Sequence, residues 1–109
     1  MALKGQTIVV PAVWSLEITN ALLVGERRKR LRQPEILRFV ALLEGLSILQ
    51  DGPAVSDHVS NVLPLARVYD LSAYDAAYLE LAIRHNAPLV TLDGDMRKAA
   101  KKAGVRNFL

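Results

Sequence analysis

Apolar positions along the 109-residue chain recur with two different periods. Residues 7–10 (TIVV) and 46–49 (LSIL) are short continuous apolar runs, the pattern of strands. Residues 88–92 (PLVTL) form a third run, a short buried strand bounded by a proline and by Asp-Gly, and residues 105–109 offer a fourth. Between these runs apolar residues return every three or four positions, as on one face of a helix. Pro11 opens a first helix as a first-turn proline, and the helix is expected to run to about Leu31, before Pro34. Ile36, Leu37, Val40 and Leu43 place a second helix over 34–45, stopped by Gly45. A third is expected over 56–69, capped by Ser56 or Asp57, with Pro64 predicting a kink or a break. A fourth spans 72–85 and a last one 95–103, ending at Gly104. Helices alternating with short apolar strands predict an α/β layered domain with a parallel sheet. Ligand sites in such sheets fall at the carboxyl ends of the strands, and Asp93 stands there, directly after Val90-Thr91-Leu92.

Composition narrows the class. With 51% apolar and 23% charged residues the chain reads as one globular domain able to bury a core, though a small one, so a dimer that hides further apolar surface is expected. The absence of cysteine excludes a disulfide framework, thiolate metal sites and a cysteine nucleophile, and fits a reducing cytoplasm. No segment approaches the ~18 continuous apolar residues of a membrane span, and Met-Ala-Leu-Lys is not a signal peptide. The formal charge of +3 is unevenly placed: residues 26–32 read ERRKRLR and residues 97–102 read RKAAKK. Arg27, Arg28, Lys29, Arg97 and Lys98 suit a phosphate backbone or an acidic partner segment. The same residues also suit solvated helix ends, where cations complement the helix dipole.

Two acids interrupt apolar helix faces. On a wheel of about 100° per residue with Val13 at zero, Ser15, Thr19 and Glu26 share a polar arc near roughly 220°. Glu17 falls at about 40°, among Val13, Ala21 and Val24, with Asn20 as its i+3 neighbour. A carboxylate buried there without a partner costs several kcal/mol, so a bound cation, a buried Arg or a backbone donor is expected to compensate it. On the fourth helix Glu80 and Arg84 mark a wet side, while Tyr74, Tyr78, Leu79, Ala82 and Ile83 mark a dry one that Asp75 shares. Ser72-Ala73-Tyr74-Asp75 also has the form of a capping box, which accounts for Asp75 without a metal.

Asp93 and Asp95 follow in Thr91-Leu92-Asp93-Gly94-Asp95, and either is suited to cap the last helix. Three oxygen donors, Glu17, Asp75 and Asp93, with neither Cys nor a nearby His, select a hard ion such as Mg²⁺ or Mn²⁺. Such an ion takes phosphate oxygens and lowers the pKa of a water, which suits hydrolysis of a phosphodiester. His58 and His85 lack partners at metal-ligand spacing. Neither GxSxG, GxGxxG nor a P-loop is present.

Three blocks, residues 10–23 (VPAVWSLEITNALL), 71–82 (LSAYDAAYLELA) and 88–93 (PLVTLD), together resemble a PIN domain, and more narrowly the VapC-type toxins of bacterial toxin–antitoxin pairs. The resemblance covers the chain from about Thr7 onward. It implies a Mg²⁺- or Mn²⁺-dependent endoribonuclease acting on structured RNA such as tRNA, usually homodimeric and inhibited by an antitoxin segment lying across the active site. It implies Glu17, Asp75 and Asp93 as the acidic, metal-binding catalytic set, with Asn20, Thr91 and Asp95 supporting.

The chain departs from that pattern at its start. The family opens with a strand bearing an aspartate in a D-x-S pattern and then a helix, whereas only MALKGQ precedes Thr7. The expectation is a PIN-like domain truncated at its N-terminus, which lacks the first acid, binds metal and cleaves more weakly, and is not a stable monomer. Competing functions are a catalytically impaired remnant that binds antitoxin or RNA without cleaving it, and a structural α/β domain whose acids cap helices or form salt bridges.

Overall fold

The computed structural model describes residues 7–107. In order along the chain they form β1 (Thr7–Val10), α1 (Trp14–Arg27), α2 (Gln33–Glu44), β2 (Ser47–Gln50), α3 (Val55–Tyr69), α4 (Ala73–Arg84) and α5 (Gly94–Lys102). This is an α/β chain with a short parallel two-stranded sheet. It divides into two compact units, Met1–Asp51 and Gly52–Leu109.

In the first unit β1 and β2 pair in parallel, Thr7 opposite Ser47 and Val10 opposite Gln50. The Asp51 N–H extends the ladder by donating to the Val10 carbonyl at 2.8 Å. Parallel strands require a crossover, and α1 and α2 supply it. The turn between the helices begins earlier than the apolar pattern indicates, at Arg28 rather than Leu31. Lys29 takes a left-handed φ of 58°, Arg30 N–H donates to the Gly25 carbonyl at 2.8 Å, and Lys29 N–H to that of Glu26 at 3.0 Å. Leu31 then folds back on Gly25, where an added Cβ would lie 2.6 Å from Leu31 Cδ1. At the start of α2 the Glu35 carboxylate accepts from the Arg32 N–H at 3.0 Å.

The second unit is built from α3, α4 and α5. The α3 helix starts at Val55, with Ala54 rather than Ser56 or Asp57 at its N-cap, and runs unbroken through Pro64. Half of α4 is buried: Ala76, Ala77, Leu79, Glu80, Leu81 and Ala82. On one side Ala76 and Ala77 cluster with Val62 of α3. On another, Leu79 and Ala82 cluster with Leu89 and with Met96, Ala99 and Ala100 of α5. Alanines on both sides let neighbouring helices approach closely, and α4 is covered on two flanks.

That packing overturns the expected wet side of α4. Glu80 is 7% exposed, whereas Tyr74 is 63% and Ile83 43% exposed. Burial of the Glu80 carboxylate is compensated one turn on by Arg84, whose Nε donates to Oε1 at 3.0 Å and to Oε2 at 2.9 Å.

The expected strands over 88–92 and 105–109 reduce to one parallel bridge, Leu89 opposite Asn107. Leu89 is buried, but Val90 and Leu92 are exposed. Pro88 has no N–H to offer a ladder, and beyond Leu89 the Asn107 side chain replaces backbone partners at Thr91. Residues 108 and 109 of the last expected strand lie outside the described residues.

The same chain reversal ends α1, α3, α4 and α5, with Lys29, Asp70, Asn86 and Gly104 in the left-handed region. A lysine pays most for it, a glycine nothing. Lys29→Gly is therefore expected to stabilise the protein by up to about 1 kcal/mol and Gly104→Ala to destabilise it by about 1 kcal/mol, both read from urea midpoints. Arg84→Ala strands a buried carboxylate and is expected to cost about 2 kcal/mol. Replacing Glu80 and Arg84 together by leucine should cost less than Arg84→Ala alone, which a double-mutant cycle will show.

Candidate functional site

The expected acids occupy three local settings. Asp75 lies in the first turn of α4, half-buried, and its N–H donates to the Ser72 Oγ at 3.1 Å. Ser72 is the N-cap of that helix, so the capping pattern read from the sequence is present.

Asp93 is the N-cap of α5 rather than the terminal residue of a strand. Its Oδ1 accepts from the Asp95 N–H at 3.2 Å, and its own N–H donates to the Thr91 Oγ1 at 3.1 Å. Of the two acids suited to cap this helix, Asp93 does so, and Asp95 sits in the first turn. Thr91 is held in turn from both sides. Asn107 Nδ2 donates to its carbonyl at 3.1 Å, Asn107 Oδ1 accepts from its N–H at 3.4 Å, and Arg97 Nε donates to the same carbonyl at 3.3 Å.

Glu17 belongs to the first unit and is exposed, which corrects the expectation of a carboxylate inside a core. No residue of α1 or α2 is buried. The apolar side chains of the two helices line an open groove of about 600 Å³, with Ile18, Leu22, Ile36 and Phe39 among its walls. The α1 residues in that wall, Ile18, Ala21 and Leu22, centre at about 130° on the wheel, a quarter-turn from Glu17. The face that holds Glu17 is thus not the one that packs, and water solvates the carboxylate. Asn20 is exposed beside it.

The cations expected to meet nucleic acid are all exposed. Arg27, Arg28 and Lys29 cluster at the end of α1, and Arg97 and Lys98 lie on α5. Arg97 is also committed to the Thr91 carbonyl, which the charge pattern did not reveal.

Carboxylates are the right donors for a hard divalent cation, but their placement does not meet the requirement by itself. Among the described residues no group of three or more His, Asp or Glu side chains is arranged to hold a metal ion. The buried carboxylate that sequence reasoning missed is Glu80. Its spacing to Arg84, four residues on, was the available signal, because such a pair is also what a buried acid needs. Among the described residues no helix is long and apolar enough to cross a membrane.

Comparison with known proteins agrees with the architecture. No curated protein matches the sequence. The crystal structure of PAE2754 from Pyrobaculum aerophilum is similar, with a TM-score of 0.70 and 26% sequence identity. The likeness covers 91% of this chain and 65% of that one, so the chain spans about two-thirds of that protein's length. The PIN domain family matches residues 2–102, a span that holds Glu17, Asp75 and Asp93 together with both compact units' elements. With that match over most of its length, the chain belongs to the PIN domain family, whose members are generally metal-dependent nucleases.

Proposed function

We propose that this protein is an endoribonuclease of the VapC toxin type, dependent on Mg²⁺ or Mn²⁺, acting on structured RNA such as tRNA. In this reading Glu17, Asp75 and Asp93 supply the carboxylates, and Asn20, Thr91 and Asp95 support them. A cognate antitoxin restrains the enzyme, and the working form is a homodimer. The observation that carries the reading is the family match over residues 2–102, which spans all three acids. Chemistry supports it: a divalent cation bound by carboxylates lowers the pKa of a water and neutralises charge on a phosphodiester.

The protein's own residues account for the rest. Asp75 and Asp93 are anchored at helix starts, where their backbone is fixed by capping bonds and the helix dipole favours a negative group. The exposed cations at the end of α1 offer a contact surface for the RNA backbone that does not depend on base sequence.

A specific observation favours a second reading, the impaired remnant that binds RNA or antitoxin without cutting. It is the lack, among the described residues, of a three-ligand group.

The two readings part on metal response. For the nuclease, millimolar Mn²⁺ raises the melting temperature and EDTA abolishes cleavage of total tRNA. Asp75→Asn removes the Mn²⁺ shift and lowers the cleavage rate at least about a hundredfold. Cleavage that persists in EDTA sinks the metal mechanism, and RNA binding with neither cleavage nor a Mn²⁺ shift selects the remnant. In either reading, replacing Arg27 and Arg28 together by alanine is expected to weaken RNA binding regardless of sequence. The slope of log Kd against log salt should flatten by about 1, measured by fluorescence anisotropy.

A further inference from the structure

The bridge between Leu89 and Asn107 ends where an ordinary parallel ladder would go on. Leu89 N–H donates to the Arg106 carbonyl at 2.8 Å, but two residues later the partner is a side chain. The Asn107 amide donates to the Thr91 carbonyl and accepts from the Thr91 N–H, as a neighbouring strand's backbone would. Thr91 and Asn107 are both half-buried, so these bonds meet less competition from water than surface ones.

What Thr91 does next gives the grip its direction. Its hydroxyl receives the Asp93 N–H, and Asp93 Oδ1 receives the Asp95 N–H. A continuous series of hydrogen bonds therefore runs from Asn107 through Thr91 to the carboxylate of Asp93. Arg97, one turn into α5, adds a second donor to the Thr91 carbonyl and ties the helix back to the same residue.

We propose that Asn107 is a positioning residue for Asp93, acting through Thr91, with Arg97 as the second hold on the same carbonyl. The inference rests on the reading of Asp93 as a carboxylate of the cleavage site. Only a carboxamide presents a donor and an acceptor side by side at this reach. An aspartate at position 107 keeps the shape but sets a carboxylate oxygen against the Thr91 carbonyl oxygen, so the substitution reverses one bond without opening a cavity.

The test uses the full chain with Asn107→Asp, Asn107→Ala and, as a control, Asp93→Asn. Amide hydrogen exchange is followed by NMR, and kcat and KM are measured on total tRNA. In Asn107→Asp, exchange at Thr91, Asp93 and Asp95 is expected to accelerate about tenfold, as for loss of one or two hydrogen bonds, while Leu79 and Ala82 in α4 keep their rates. The kcat is expected to fall about tenfold, with KM within about twofold. Asn107→Ala should give the same pattern more weakly, because Arg97 still holds the carbonyl.

Unchanged exchange at Asp93 and Asp95 overturns the proposal. So does acceleration shared equally by Leu79 and Ala82, which marks general destabilisation, or a local change in exchange with kcat intact. Failure of the nuclease reading looks different. Then Asp93→Asn leaves tRNA processing as it was in the parent, while the exchange data still decide whether Asn107 holds Asp93.

Discussion

Helix α4 is covered on two sides, and the second unit takes its form from that constraint. Ala76 and Ala77 meet Val62, while Leu79 and Ala82 meet Met96, Ala99 and Ala100. Small side chains on both flanks bring α3 and α5 close to the α4 axis. A helix held this way has few positions left for charge, so Glu80 is buried with its own cation, Arg84, one turn away. Neither partner is dispensable alone, because the pair exists to make an otherwise costly burial neutral. Asp75 begins the same helix, and its position inherits the rigidity of that packing.

Much of the architecture was legible in the amino-acid pattern. Both strands of the sheet, the five helices, the Ser72 cap and the stop at Gly45 follow from local chemistry, which acts over three or four residues. Three features did not follow. Glu17 and Glu80 exchanged environments relative to the wheel, Glu17 being solvated and Glu80 buried. A wheel gives the angle between residues but not the direction from which neighbours arrive. For α1 the packing face lies a quarter-turn from Glu17, and for α4 neighbours arrive from two directions at once. The PLVTL segment has the composition of a strand, yet its ladder stops after Leu89 because Asn107 offers a side chain in place of backbone. That substitution joins residues 16 apart, beyond any local pattern.

Capping and metal ligation were alternatives when only the sequence of the 91–95 turn was considered. The geometry makes them compatible. A carboxylate has two oxygens and about four lone-pair sites. Asp93 uses Oδ1 to accept from the Asp95 N–H, and one such bond leaves most of that capacity available. The capping bond also fixes the side-chain torsion, so a ligand would meet a carboxylate that is already oriented. Thr91, gripped by Asn107 and Arg97, fixes the backbone beneath it.

This distribution of charge changes what the acids imply. The argument from sequence was that a carboxylate on an apolar face needs a cation to offset its burial. Among the candidate acids, Glu17 has water, while Asp75 and Asp93 have helix starts whose dipoles favour negative groups. The acid that is nearly sealed from solvent, Glu80, is compensated by the protein's own arginine. Burial therefore does not call for a metal anywhere in the described residues. The case for one rests on membership of the PIN domain family and on the chemical fitness of oxygen donors, so binding of Mn²⁺ by the intact chain decides it more directly than any feature of the core.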